Sequence, residues 1–166
     1  QREADAPGVL VDDTVVALGR LAHALLARLP QTTVVALTGS SGKTSTKDLL
    51  AQVLPGLGPV IAPEGSFNNE IGLPTTVLRA DTGTRVLVLE MGMRGLGHIR
   101  YLCEIAPPDV ALVLNVGSAH VGELGGRAGI AAAKGELVEA LGADGVAVLN
   151  TDDPLVRAMA ARTAAR

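Results

Sequence analysis

The chain has 166 residues, 48% hydrophobic and 19% charged, enough to bury one good-sized core in one compact unit. A formal net charge of −3 offers no basic footprint for nucleic acid, and a single Phe and a single Tyr leave almost no platform for stacking bases. One cysteine excludes an internal disulfide framework and a cysteine-rich metal site; with no apolar run near the roughly 20 residues of a membrane span and no signal-peptide pattern, a soluble, cytoplasmic protein is expected.

Residues 1–13 contain Pro, Gly and Asp, begin without methionine and read as a linker from something upstream. From Asp13 or Thr14 as N-cap, Leu18, Leu21, Ala22, Leu25 and Leu29 recur at helical spacing up to Pro30, which predicts an amphipathic helix containing His23. Short aliphatic runs then alternate with helical patterns. Strands are predicted over 34–38, near 60–62, and over 86–90, 110–116 and 146–149. Helices are predicted over 43–54, near 71–79, and over 97–105, 129–141 and 153–161. Strands apolar on consecutive residues are buried on both faces, and the βαβ alternation predicts an α/β fold: a mostly parallel sheet flanked by helices, in the three-layer architecture of P-loop NTPases.

In such a sheet, ligands sit beyond the C-terminal strand ends. After the first strand come Gly39, Ser40, Ser41, Gly42, Lys43, Thr44 and Ser45. Glycines let backbone N–H groups curl around phosphate oxygens, the helix N-terminus favours the anion, lysine neutralises phosphate charge, and threonine can ligate Mg²⁺. Leu37 stands where the longer P-loop pattern has another glycine, so the match is to a shortened GxxGKT form. The run VLVLE ends on Glu90, an acid at a buried strand tip and a candidate second Mg²⁺ ligand. The next strand leads through Asn115 and Gly117 to His120 on the same presumed edge, whereas His23 and His98 read as structural.

Lys134 lies in an apolar stripe with Ile130, Leu137, Val138 and Leu141, so its helix points it inward. It either snorkels with its head in water or is a buried amine of lowered pKa, able to take up CO₂ as a carbamate and so become a metal ligand beside His120. The stretch EGSFNNEIGLP, 64–74, either makes ordinary turns or uses Asn68 and Asn69 to orient a triphosphate or second substrate. Asn150, Asp152 and Asp153 before Pro154 read as a helix-capping turn outside the site.

The motifs TGSSGKTSTK, FNNEIGLP, VLEMG, NVGSAH and AAAKGEL, in this order, resemble the central ATPase domain of the Mur ligases, with 31–166 as that domain and 1–30 as linker and helix from an upstream one. The resemblance implies an ATP-dependent amide ligase of peptidoglycan synthesis, and FNNEIG points to the branch that joins D-alanyl-D-alanine to UDP-N-acetylmuramoyl-tripeptide through an acyl phosphate. By resemblance, Lys43 binds phosphate, Thr44 and Glu90 hold one Mg²⁺, His120 and carbamylated Lys134 hold a second, and Asn68 or Asn69 lies near the γ-phosphate. This piece is expected to hold ATP and metal without ligating alone. The alternatives are another Mur or folylpolyglutamate-type ligase and, from a different class, a non-catalytic nucleotide-binding module.

Overall fold

The computed structural model describes residues 8–117 and 126–166; His120 lies outside them. In chain order the elements are α1 (Thr14–Leu26), β1 (Thr33–Thr38), α2 (Lys43–Val53) with a 3-10 turn (Leu54–Leu57), β2 (Val60–Ile61), α3 (Gly72–Val77), β3 (Val86–Glu90), α4 (His98–Ile105), β4 (Val110–Val113), α5 (Arg127–Glu139), β5 (Val146–Leu149) and α6 (Pro154–Arg157), closed by a second 3-10 turn (Ala158–Arg162). The strands form one parallel sheet in the order β2-β3-β1-β4-β5. Apolar side chains on consecutive residues of β1 and β3 serve both faces, as the uninterrupted runs predict.

The two faces are covered unequally. Val34, Ala36, Leu87, Leu89, Ala111 and Val113 point into the larger core, shared with α1, α3, α4, α5 and α6. Leu37, Val86 and Val88 point the other way, where Leu50 of α2 and Leu54 of the following turn cover them. The result is a three-layer α/β sandwich with one thick and one thin helical layer.

Several boundaries differ from the sequence reading for local reasons. Asp13 is the N-cap of α1, its carboxylate accepting from Val15 N–H at 2.8 Å and Val16 N–H at 3.0 Å. The buried face of α1 is carried by Gly19 and Ala22, while Leu21 is 59% exposed. Gly19 explains the shift: a Cβ there would come within 3.1 Å of Ile105, so the helix uses its small residues to approach α4. His23 Nδ1 hydrogen-bonds the Ile105 carbonyl at 3.2 Å, a structural tie between the same two helices. Strand β4 stops at Val113 although the apolar run continues to Val116, because Asn115 turns toward the loop after β1. The 153–161 helix becomes a four-residue α-turn that tightens into 3-10 geometry.

Cys103 lies in the larger core, 4% exposed, with its Sγ 3.7 Å from Met91 Sδ. Burial, with smaller contributions from Glu136 and Glu104, pushes its thiol from the ordinary 9.0 up to about 12. The folded chain therefore keeps a proton that the unfolded chain releases above about pH 9, so stability falls as pH rises from there toward 12. Native chain should resist alkylation by iodoacetamide and react fully once denatured, and Cys103→Ala should flatten the alkaline loss of stability; rapid alkylation of the folded chain would contradict the buried placement.

Candidate nucleotide and metal site

The parallel register sets Glu90 beside Leu37 and Val113 beside Thr38, so the exits of β1, β3 and β4 meet at one sheet edge. The turn after β1 depends on two glycines. Gly42 has φ +78°, a left-handed conformation that side chains disfavour, and precedes Lys43 at the start of α2. Gly39 packs so closely on β4 that a Cβ would lie 2.9 Å from Leu114 Cβ. Lys43 Nζ donates to the Gly39 carbonyl at 3.0 Å, bending back over its own loop.

Glu90 is 1% exposed. Thr44 Oγ1 donates to its Oε2 at 3.0 Å and Asn68 Nδ2 to its Oε1 at 2.7 Å. Among the described residues its hydrogen-bond partners are these two neutral groups, so a buried negative charge is oriented without being neutralised. A hydroxyl and a carboxylate at the foot of a phosphate-type loop form a hard oxygen donor set, which fits Mg²⁺ that keeps some of its waters.

The structure separates the two asparagines. Asn68 reaches Glu90, whereas Asn69 Oδ1 accepts from the N–H groups of Ile71 at 3.2 Å and Gly72 at 2.8 Å, starting α3. Lys47, 3% exposed on α2, donates to the Pro63 carbonyl at 2.9 Å and so moors the chain just before this stretch to the helix that carries Lys43 and Thr44.

A cavity of about 240 Å³ opens here, lined by Lys43, Asn68, Asn69, Gly92, Met93, Arg94 and His98. A larger hollow of about 820 Å³ lies along residues 9–21, beside the start of α1 and away from the converging strand ends. Arg94 and His98 were missed as neighbours of the site. Glu70 accepts from Arg94 Nη1 at 2.6 Å and pairs with His98 Nε2 at 3.2 Å, while His98 Nδ1 accepts from Arg94 N–H at 3.1 Å. Hydrogen bonding to its own backbone N–H, against some desolvation, and then the Arg94 charge hold the Glu70 carboxyl below the usual range. The sequence signal was the spacing of Arg94 and His98, four and eight residues beyond Glu90.

Lys134 is 3% exposed. Burial first, then the Lys43 charge, lower its pKa from 10.5 to about 8, which raises the neutral amine fraction at physiological pH. Asp153 caps α6 as read, accepting from Leu155 N–H at 2.9 Å, and also accepts from Val116 N–H at 2.8 Å. Burial opposes its ionisation, but backbone N–H donors from Val116, Leu155 and Val156 and the Arg127 charge outweigh it and hold its pKa down. It thus fixes the exit of β4 from outside the cavity.

Residues 37–166 match the Mur ligase middle domain, and the chain belongs to that family. Over its whole length it is 54% identical to the UDP-N-acetylmuramoyl-tripeptide--D-alanyl-D-alanine ligase of Mycobacterium tuberculosis (strain ATCC 25618 / H37Rv), of which it covers 32%. It superposes on crystal structure I of MurF from Acinetobacter baumannii with a TM-score of 0.89 at 38% identity, covering 96% of this chain and 35% of that one. The MurF ligase of Thermotoga maritima in complex with ADP gives 0.86 at 40% identity, covering 98% and 38%. The chain spans about a third of the length of the curated relatives it matches.

Gly92 donates its N–H to the Asn68 carbonyl at 2.8 Å, and a Cβ on it would lie 2.8 Å from Asn68 Oδ1. Gly92→Ala should therefore push the Asn68 carboxamide off Glu90 and cost about 1–3 kcal/mol in denaturant unfolding. An unchanged midpoint, with the Asn68 side-chain amide resonances unmoved, would show that the loop yields instead.

Proposed function

We propose that this chain is the ATP- and Mg²⁺-binding part of a cytoplasmic ligase of peptidoglycan synthesis that joins D-alanyl-D-alanine to UDP-N-acetylmuramoyl-tripeptide. The observation that carries the reading is the pairing of buried Glu90 with Thr44, at the foot of a glycine-built loop bearing Lys43 and beside an open cavity. The names of the relatives above supply the substrates, and the absence among the described residues of a helix able to cross a membrane agrees with an enzyme that draws on ATP in the cytoplasm.

In the reaction, a carboxylate oxygen of the tripeptide attacks the γ-phosphorus of ATP and ADP leaves; the neutral dipeptide amine then attacks the acyl carbon, and phosphate leaves and the nitrogen gives up a proton as the amide forms. Such phosphoryl transfer is chiefly positioning and charge neutralisation. Lys43 swings from the Gly39 carbonyl to the phosphates. The N–H groups of Gly42, Lys43 and Thr44, where the loop enters α2, receive phosphate oxygens. Thr44 and Glu90 would hold one Mg²⁺, with Asn68 fixing the Glu90 carboxylate and Asn69 holding the start of α3. That ion would supply charge neutralisation. His120 and Lys134 hold a second ion in this scheme, Lys134 after its neutral amine adds to CO₂ and releases a proton to give a carbamate. A module that merely bound nucleotide would have little use for a lysine buried this deeply, which favours the ligase.

Calorimetric titration with Mg-ATP should give binding that Lys43→Ala abolishes and Glu90→Gln weakens at least tenfold. With ¹³C-bicarbonate, the native chain should show a carbamate carbon resonance that is missing from Lys134→Ala. Binding unaffected by Lys43→Ala would overturn the phosphate-loop reading, and a native chain without the carbamate signal would remove Lys134 from the metal site.

A further inference from the structure

Where β4 ends, the chain leans over the loop it borders. Leu114 N–H still donates to the Thr38 carbonyl at 3.0 Å, as in the sheet. Asn115 Oδ1 then accepts from both Ser40 N–H and Ser41 N–H at 3.0 Å, with Ser41 Oγ at 3.4 Å, and Asn115 Nδ2 donates to the Ser41 carbonyl at 3.1 Å. The Asn115 backbone carbonyl shares the Ser40 N–H at 3.2 Å, and Gly117 N–H donates to Ser40 Oγ at 2.8 Å. One carboxamide thus uses its acceptor on Ser40 and Ser41 and its donor on Ser41.

Resting on the proposed nucleotide reading, we infer that Asn115 is the positioning residue of the phosphate loop, setting its curl through Ser40 and Ser41 without touching the phosphates. A run of glycine and serine is costly to order, and an anion site gains affinity when its N–H groups are already aimed before the ligand arrives. Asn115 orders Ser40 and Ser41 in advance, which leaves Gly42, Lys43 and Thr44 to face the ligand. The function needs a carboxamide: alanine removes both halves of the clamp, whereas aspartate keeps the acceptor but sets an anionic oxygen against the Ser41 carbonyl.

The test compares native chain, Asn115→Ala and Asn115→Asp by calorimetry with Mg-ADP at about pH 7.5, where an aspartate is ionised, with thermal melting and amide hydrogen exchange of Ser40 and Ser41. Asn115→Ala should bind roughly tenfold more weakly, because binding must then order a loop that has lost the four hydrogen bonds of the carboxamide, with faster exchange at both amides and a melting temperature within a few degrees of native. Asn115→Asp keeps the acceptor and so should keep slow exchange at Ser40 and Ser41, yet bind Mg-ADP several-fold more weakly than the native chain because the Ser41 carbonyl loses its donor and faces an anion instead. That variant carries the test if the alanine variant folds poorly. Native-like affinity in either variant would overturn the assignment while leaving the nucleotide site standing. A native chain that binds no Mg-ADP would overturn the nucleotide reading itself.

Discussion

The buried charge of Glu90 is the constraint around which the sheet edge is organised. A carboxylate this enclosed, with two neutral hydrogen-bond donors, is a poor choice for stability, because its desolvation is opposed by hydrogen bonds alone. The fold accepts it at the tip of β3, level with Leu37, where the neighbouring strand is about to release its chain into the glycine turn. Each donor comes from a different segment, Thr44 from the first turn of α2 and Asn68 from the stretch before α3. The carboxylate thereby draws three parts of the chain to one point, and a cation arriving there would meet ligands already aligned.

The helical layers on the two faces of the sheet are unequal. Helix α2 begins at the glycine turn after β1 and covers the thin side with the 3-10 turn that follows it, leaving Leu49, Val53 and Leu57 exposed. Its grip on the rest of the molecule is partly polar: Lys47 reaches the Pro63 carbonyl, so the helix bearing Lys43 and Thr44 and the segment leading to Asn68 are tied together. On the thick side, α1 approaches α4 at Gly19 and buries Ala22 in the larger core.

What the sequence disclosed, and what it withheld, divides along a physical line. Consecutive apolar residues in 34–38 and 86–90 announce strands buried on both faces, and Gly42-Lys43-Thr44 announces the turn, because both depend on local chemistry. The roles of Asn68 and Asn69 were not legible: adjacent and chemically identical, they are distinguished by the three-dimensional path that sends one to Glu90 and the other to the start of α3. Likewise Leu114 and Val116 extend an apolar pattern that hydropathy reads as strand, while Asn115 between them answers to a loop some 74 residues away. Leu21 matches helical spacing yet faces outward, since close approach of α1 favoured the glycine and alanine face over the leucine one. His120 lies outside the described residues, so its place beside Lys134 stays a proposal.

Lys134 shows how burial of a whole helix can decide the state of one side chain. Snorkelling needs a solvent-facing direction for the ammonium head, and α5 offers little: Ile130, Ala133, Gly135, Glu136, Leu137 and Val138 are buried along with Lys134. Glu136 accepts from Gly97 N–H at 2.6 Å and Arg100 N–H at 3.0 Å, supplying the cap that Gly97 cannot give to the start of α4. Arg162 crosses Gly135, where any Cβ would collide with its guanidinium, and donates to the Ala131 and Ala132 carbonyls at 3.1 and 2.9 Å. Anchored by α4 through Glu136 and by the C-terminal turn through Arg162, α5 cannot rotate to bring Lys134 to water. The charge of Lys43 acts on this buried lysine as well, so losing its proton relieves both desolvation and repulsion.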